Sequence, residues 1–371
     1  LISLVAFAGG IQNTHNRFSL PAFTPLIFNA CLIFAALIIA PKYDLPIYVL
    51  AWGVLIAGFA QLVIQLFPLK QIDRLPVPKF NLNNQGTRKV FKLIIPAILA
   101  GGIMQINLLI DTIFASLLQT GSPTWLYVSD RLIQFPMGIF AIAIGTVLLP
   151  TLSKIDISKD MNGFIDLVKK GQRFVLFIGI PSFIGLALCS SDLLSTIFLR
   201  GEFKAYDVNQ ASLSLIAFSF GLPFFMLMKV LTPAFFARKD TKTPMYIALL
   251  SLFLNAFLNY ILAFVLNYGH VGIAIGSSIS AVVSVIILEL ILVKQGIVNL
   301  YNPFNRFNFS ILVPSLVLIA FLYFLSEHIS FLQLSMMSKI IVLALKVFIS
   351  IGIYFSLSRL IYGKPLKEIF N

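Results

Sequence analysis

Charge is scarce in this chain, and negative charge is scarcest. Only 11% of the 371 residues are Asp, Glu, Lys or Arg, where a soluble globular domain carries about 25%. A water-facing surface of ordinary size cannot be covered with so few. Cysteine is nearly absent: Cys31 and Cys189 both lie in apolar stretches, which argues against a disulfide framework and leaves no metal-ligand spacing. The histidines, His15, His270 and His328, read as isolated loop or interface residues. No Ser/His/Asp arrangement, Walker loop or dinucleotide fingerprint appears. The chain is therefore expected not to be an enzyme. Asp192, Glu202 and Asp207 are too scattered for the outward acidic cluster that a membrane glycosyltransferase would want. Without an ATP-binding cassette, any transport has to draw on an ion or voltage gradient, the substrate's own gradient, or a partner. Short alternating apolar segments are missing too, which excludes a strand-built barrel.

What is present is apolar sequence in long blocks. Hydrophobic residues make up 59% of the chain, and each block approaches or exceeds the roughly 20 residues that cross a hydrocarbon core. In lipid the backbone has to satisfy its own hydrogen bonds, so such blocks are helices. Ten full spans are predicted, over 22–40, 46–67, 91–117, 125–150, 173–199, 209–237, 245–266, 270–293, 308–326 and 339–362. The opening LISLVAFAGGI reads as a truncated further span rather than a signal peptide, since it has no basic n-region and no small-residue cleavage site. Prolines stand inside several spans, at Pro96, Pro136, Pro181, Pro223 and Pro233. Each frees a carbonyl and permits a bend, a weak signal because proline is common in membrane helices.

Basic residues set the expected topology. Twenty of the 27 Lys and Arg fall on one side, that of the first turn and the C-terminus, and four (Lys42, Arg200, Lys204 and Lys339) fall on the other. The positive-inside rule puts the richer side and the C-terminus in the cytoplasm. The net charge of +13 is thus topological, and nucleic acid is not expected as a partner. The basic stretch over 68–90, with PVPKFNLNNQG, reads either as a hinge between two bundles or as an inert connector.

Charge buried in lipid is costly, so ionisable groups inside spans are functional candidates. Asp130 and Arg131 lie about two turns inside the 125–150 span. Adjacent residues point about 100° apart, so the pair does not neutralise itself on one face. Arginine suits bidentate contact with phosphate oxygens. Arg131 is expected to meet an anionic substrate group with Asp130 orienting it, the alternative being an ion pair with another helix. Asp111 lies at similar depth, and Asn255 and Asn259 share a helical face at i,i+4. One carboxylate and two amide oxygens are hard ligands, giving a candidate site for Na⁺ or a proton. Alternatively the asparagines only bond neighbouring helices, or Asp111 pairs with Arg131. For Lys229, an anion-attracting cavity residue and a snorkelling lysine stand as equal readings. Glu289 and Lys346 lie nearer their span ends and are expected to snorkel.

Five stretches, taken in order, resemble the MurJ (MviN) family of lipid II flippases. They are NTHNRFSLPAFTPLIFN (13–29), IPAILAGGIMQINLLIDTIFAS (95–116), SDRLIQFPMGIFAIAIGTVLLPTLSK (129–154), FLRGEFKAYD (198–207) and KVLTPAFFARKDTKTP (229–244). The DRL…FP.G…GT.LLP.LS run is the most specific, and together they cover nearly the whole chain. The resemblance implies an all-α integral membrane protein of the fold shared with multidrug and polysaccharide exporters (MOP/MATE-like, two lobes of six helices and two more). Ten full transmembrane helices and a partial one would then be the family's fourth span onward. On that basis 1–80 is the remainder of the N-lobe, 85–297 the C-lobe and 305–371 the added pair. The implied activity is movement of lipid II, undecaprenyl-pyrophosphate with its disaccharide-pentapeptide, from the inner to the outer leaflet of the bacterial cytoplasmic membrane by alternating access. Arg131 falls on the family's cavity arginine, Asp130 on its acidic neighbour and Thr124 on a small hydroxyl position. Lys229 and Arg17 are the further candidate substrate-binding residues. Gln134 departs from the glutamate common in relatives, so its role is in doubt. The family's other pyrophosphate-gripping arginines belong to spans before Leu1, and the chain alone is expected not to transport. Implied partners are lipid II, membrane lipids and the cell-wall synthesis machinery; no cofactor is expected, and Na⁺ or H⁺ at the Asp111, Asn255 and Asn259 site is the candidate coupling ion. The competing readings are an exporter of another polyprenyl-linked oligosaccharide or a drug, and a non-transporting scaffold.

Overall fold

The computed structural model describes residues 1–15, 17, 19–71, 102–103, 105–156, 159–297, 306–329, 331 and 334–362. The described elements are helical, and nine of their helices are long and apolar enough to cross a membrane. The protein is an all-α, multi-pass membrane protein. Of the predicted spans, 91–117 is described mainly over 105–116, and most of the 68–90 connector lies outside the described residues.

The chain divides into two compact units, Leu1–Phe91 and Lys92–Asn371. In the first, α1 (Ile2–Thr14), α2 (Ser19–Phe34) and α3 (Pro46–Gln71) pack together. A π-helical turn, Ala35–Ile39, and a short 3-10 turn, Ala40–Lys42, carry α2 onward. Apolar contact alone cannot select partners among helices bathed in lipid, so polar side chains help to do it. Buried Gln12 donates to the Gln65 carbonyl at 3.1 Å, Gln61 to the Thr24 carbonyl at 2.8 Å, and Gln65 to Thr24 Oγ1 at 2.7 Å.

The second unit holds α4 (105–116), α5 (Ser122–Pro136), α6 (Ile142–Lys154), α7 (Met161–Leu188), α8 (Ser190–Ile197), α9 (Ala205–Ala237), α10 (Lys242–Tyr260), α11 (Gly269–Lys294), α12 (Arg306–His328) and α13 (Met336–Tyr362). Its axis is α9, packed against α5, α6, α7 and α11. Val230, Leu231, Ala234 and Phe235 of α9 are fully buried in the core with Val168 of α7 and Leu292 of α11. Pro136 comes immediately before a π-helical turn, Met137–Ala141, that joins α5 to α6. A second such turn, Ile261–Val265, follows α10. The α12–α13 pair packs on this unit through α7 and α8. Tyr354 donates to the Phe177 carbonyl at 2.9 Å there.

Three expectations need correction. The span set at 173–199 begins at Met161, capped by Asp160 accepting from Gly163 N, and ends at Leu188 before the separate helix α8. Lys169, Lys170 and Arg173 lower hydropathy without breaking the helix, and Asp166 pairs with Lys170 at 3.1 Å. Lys346 and Glu289 do not snorkel: Lys346 is buried in an ion pair with Asp192, and Glu289 accepts from Gln172 at 2.8 Å. His270 is not isolated either. It is buried, bonded to the Gln210 carbonyl at 3.1 Å and set 4.8 Å from the Trp125 ring, while Trp125 donates to Asp207 at 2.8 Å.

Close approach of α11 to the π-helical turn that follows α10 depends on glycine. A Cβ at Gly272 would stand 2.6 Å from the Leu262 carbonyl carbon, which is backbone and cannot swing aside. Gly272→Ala is therefore expected to destabilise the unit by about 1–3 kcal/mol or more. Gly352 of α13 faces open space, so Gly352→Ala should stabilise by about 0.5–1 kcal/mol through helix propensity. Thermal unfolding of the two variants side by side checks the contrast. At the start of α10 the Thr243 backbone N–H and hydroxyl hold the Asp240 carboxyl below its ordinary value. That cap acts at neutral pH and is lost as pH falls through the carboxylate range.

Candidate functional site

α5 places Thr124, Asp130, Arg131 and Gln134 along one helix of the second unit. Ser129, on the opposite face, is fully buried and donates to the Ala211 carbonyl of α9 at 2.7 Å, which fixes the rotation of α5. Arg131 is consequently exposed. Its guanidinium carbon lies 4.7 Å from the Tyr127 ring centroid, one turn earlier, a cation–π contact that orients the fork without consuming its charge. Asp130 is half-buried and accepts from the Gln134 amide, i,i+4. The amide at 134, the departure from the family pattern, thus has a definite partner. A glutamate there would set two carboxylates against each other unless one held a proton. Neither Asp130 nor Arg131 forms an ion pair among the described residues. Thr124 is exposed in the first turn of α5.

Lys229 is half-buried on α9, with no hydrogen-bond or ion-pair partner among the described residues. A Cβ at Gly145 of α6 would lie 3.2 Å from the Lys229 carbonyl, so the two residues are level. Gly145 stands fourteen positions beyond Arg131, about 21 Å of helix rise. Arg131 and Lys229 are thus cations without ion-pair partners among the described residues, set at different heights of the second unit. Arg17 belongs to the first unit, where its guanidinium donates to Gln71 Oε1 at 2.9 Å.

The candidate cation ligands come together. Asn259 Nδ2 donates to Asp111 Oδ1 at 2.6 Å and to Asn255 Oδ1 at 2.9 Å. Asn255 in turn donates to Ser277 Oγ of α11 at 2.9 Å, a residue the sequence reading missed. Nothing at i,i+4 points to it, because it reaches the cluster from another helix. Asp111 therefore engages Asn259, and its alternative pairing with Arg131 is not seen. Asn259 is fully buried, and its Oδ1 has no hydrogen-bond partner among the described residues. That oxygen faces Gly276, where a Cβ would stand 2.2 Å away. A buried orphan acceptor is costly. Turning the Asn259 amide over would aim this oxygen at the same place as those of Asp111 and Asn255. The set then offers three hard oxygens, a donor type that suits a small monovalent cation, while the Ser277 hydroxyl braces the Asn255 amide nitrogen. In the orientation seen, the amide N–H group itself supplies the positive end of a dipole to the carboxylate.

Comparison with known proteins agrees with this architecture. The profile of the family described as lipid II flippase MurJ matches residues 1–355. A probable lipid II flippase MurJ of Vibrio cholerae serotype O1 is 40% identical over 299 residues, covering 81% of this chain and 57% of that protein. One from Haemophilus influenzae is 39% identical over 282 residues, 74% of this chain and 55% of that protein. The chain thus spans a little over half the length of these relatives. One from Buchnera aphidicola subsp. Acyrthosiphon pisum is 35% identical across 100% of this chain and 72% of its own length. A solved structure described as lipid II flippase MurJ in an inward closed conformation superposes with a TM-score of 0.78 at 26% identity, covering 100% of this chain and 72% of that one. The chain belongs to the lipid II flippase MurJ family.

Proposed function

We propose that the protein to which this chain belongs moves lipid II from the inner to the outer leaflet of the bacterial cytoplasmic membrane by alternating access. The observation that carries this reading is Arg131, an exposed guanidinium within a predicted span, stacked on Tyr127 and without an ion-pair partner among the described residues. A diphosphate is the substrate group such a fork grips best. Lys229, about 21 Å further along the bundle, supplies a second, point-like cation that receives the same head group toward the cytoplasmic half. The exposed apolar side chains of the α12–α13 pair provide a surface for the polyprenyl tail. The basic bias of the loops puts the C-terminus in the cytoplasm, which orients Arg131 toward the outer half. Na⁺ or H⁺ at Asp111, Asn255 and Asn259 couples the cycle to an ion gradient.

The test is rescue. In a strain depleted of its own flippase, the gene should restore growth and the appearance of lipid II in the outer leaflet. Rescue by other polyprenyl-linked oligosaccharides or drug export, with no lipid II reaching that leaflet, would favour the related-exporter reading. Growth without any movement of lipid II would favour a scaffold of the cell-wall machinery.

A further inference from the structure

Two buried lysines lie on one face of α13, and only one of them holds a carboxylate among the described residues. Lys346 Nζ donates to Asp192 Oδ2 of α8 at 2.6 Å, with side chains 3% and 14% exposed. It also lies 5.3 Å from the Phe331 ring centroid. Lys339 precedes Lys346 by seven positions, two helical turns, which brings both onto the same face. Lys339 is itself only 6% exposed. It has no ion-pair or side-chain hydrogen-bond partner among the described residues.

A permanent brace has no need of such an arrangement. Apolar side chains of similar volume hold two helices as well as a buried ion pair does, and often better. A buried cation with no counter-ion is costly in apolar surroundings. Lys346 is balanced by Asp192, while Lys339 has no ion-pair partner among the described residues, so an anion from outside the chain would balance it. The neighbouring surface says what kind of anion. Met337, Ile340, Ile341 and Leu345 of α13 are exposed apolar side chains, a path for acyl chains beside the charged face.

We propose that Lys339 and Lys346 form a binding site for the phosphate head group of a lipid, at the end of the α12–α13 pair remote from the chain's C-terminus. Asp192 is its resident stand-in, holding Lys346 until a lipid phosphate replaces it. The site is built on α8 and α13, apart from Arg131 on α5 and Lys229 on α9, and does not depend on which lipid-linked cargo the protein moves.

The experiment uses the full-length protein in a phosphate-free maltoside detergent. Native mass spectrometry reads retention of dioleoyl phosphatidic acid against dioleoylglycerol, and thermal unfolding is followed in parallel. Phosphatidic acid should be retained about tenfold better than the diacylglycerol. Lys339→Met and Lys346→Met should each reduce that preference by about tenfold. Asp192→Asn should do the opposite. It should lower thermal stability in detergent alone, regain it on addition of phosphatidic acid, and retain that lipid more strongly than the parent. A structural pair would show the loss of stability without the regain. Should Lys346→Met fail to fold, the double variant Asp192→Leu/Lys346→Met keeps apolar contact between α8 and α13 and must still lose the lipid. Unchanged retention in Asp192→Asn overturns the proposal, as does equal retention of dioleoylglycerol. Inorganic phosphate stabilising Asp192→Asn as well as the lipid does would overturn the assignment to a lipid.

Discussion

Arg131→Ala is expected to abolish movement of lipid II by the full-length protein, and Arg131→Lys to recover only a small part of it. Two features of the geometry set the size of the effect. The guanidinium is exposed and unpaired among the described residues, so its charge is available rather than spent on a protein carboxylate. It is also held over Tyr127, so less freedom is lost when a phosphate arrives. Removing one partner of a desolvated, hydrogen-bonded charge pair costs about 2–5 kcal/mol, roughly thirtyfold to several thousandfold in affinity. Lysine restores the charge as a point but not the planar fork. Tyr127→Leu should act in the same direction and less strongly, because it frees the fork without deleting it. The measurement is the rate at which lipid II becomes accessible on the outer face of spheroplasts or proteoliposomes. A normal rate in Arg131→Ala would remove this residue from the mechanism, and the proposed function would lose the observation that carries it.

The spans were legible because lipid leaves the backbone so few options. A long apolar block has to be a helix, and nine of the ten predicted blocks overlap apolar helices among the described residues, with 173–199 running past the end of α7. The start of α7 was not legible, since hydropathy reports where a helix meets lipid and not where its hydrogen bonds begin. Met161 to Lys170 are helical beyond the apolar block. The Asp111 cluster shows the same division. Its i,i+4 asparagines mark one face of α10, yet Ser277 joins from α11 through packing that no local pattern encodes. The buried lysine was misread for a related reason. A charge near a span end has two cheap exits, toward the interface or toward a counter-charge. Asp192, 154 positions away in the chain, could be recognised as that counter-charge only after folding. His270 follows the same rule, being isolated in sequence but enclosed by Trp125 and the Gln210 carbonyl in space.

Sodium is expected to stabilise the full-length protein against heat relative to an equal concentration of choline, and Asp111→Asn to erase that difference. Asn259 sits in a frustrated position. Its Nδ2 serves two acceptors, Asp111 and Asn255, while its own Oδ1 is buried with none. A cation among these groups reverses the balance. The amide turns, its oxygen gains a ligand, and the carboxylate exchanges a neutral donor for a full positive charge. At a hundredfold excess over its dissociation constant a bound ion contributes about 2.7 kcal/mol to stability. Asp111→Asn removes the formal charge that attracts the ion while keeping the side-chain volume, so the fold should persist and the sodium effect should not. If the coupling ion is a proton, sodium and choline will already be equivalent in the parent. The Asp111→Asn variant would then lose the pH dependence of transport instead. Gly276→Ala probes the same place from α11, because its Cβ would fall 2.2 Å from Asn259 Oδ1 and block the room in which the amide turns. It should weaken the sodium effect even with Asp111 intact. An undiminished sodium effect in both variants would place the ion elsewhere and leave Asp111, Asn255 and Asn259 as helix-bonding residues only.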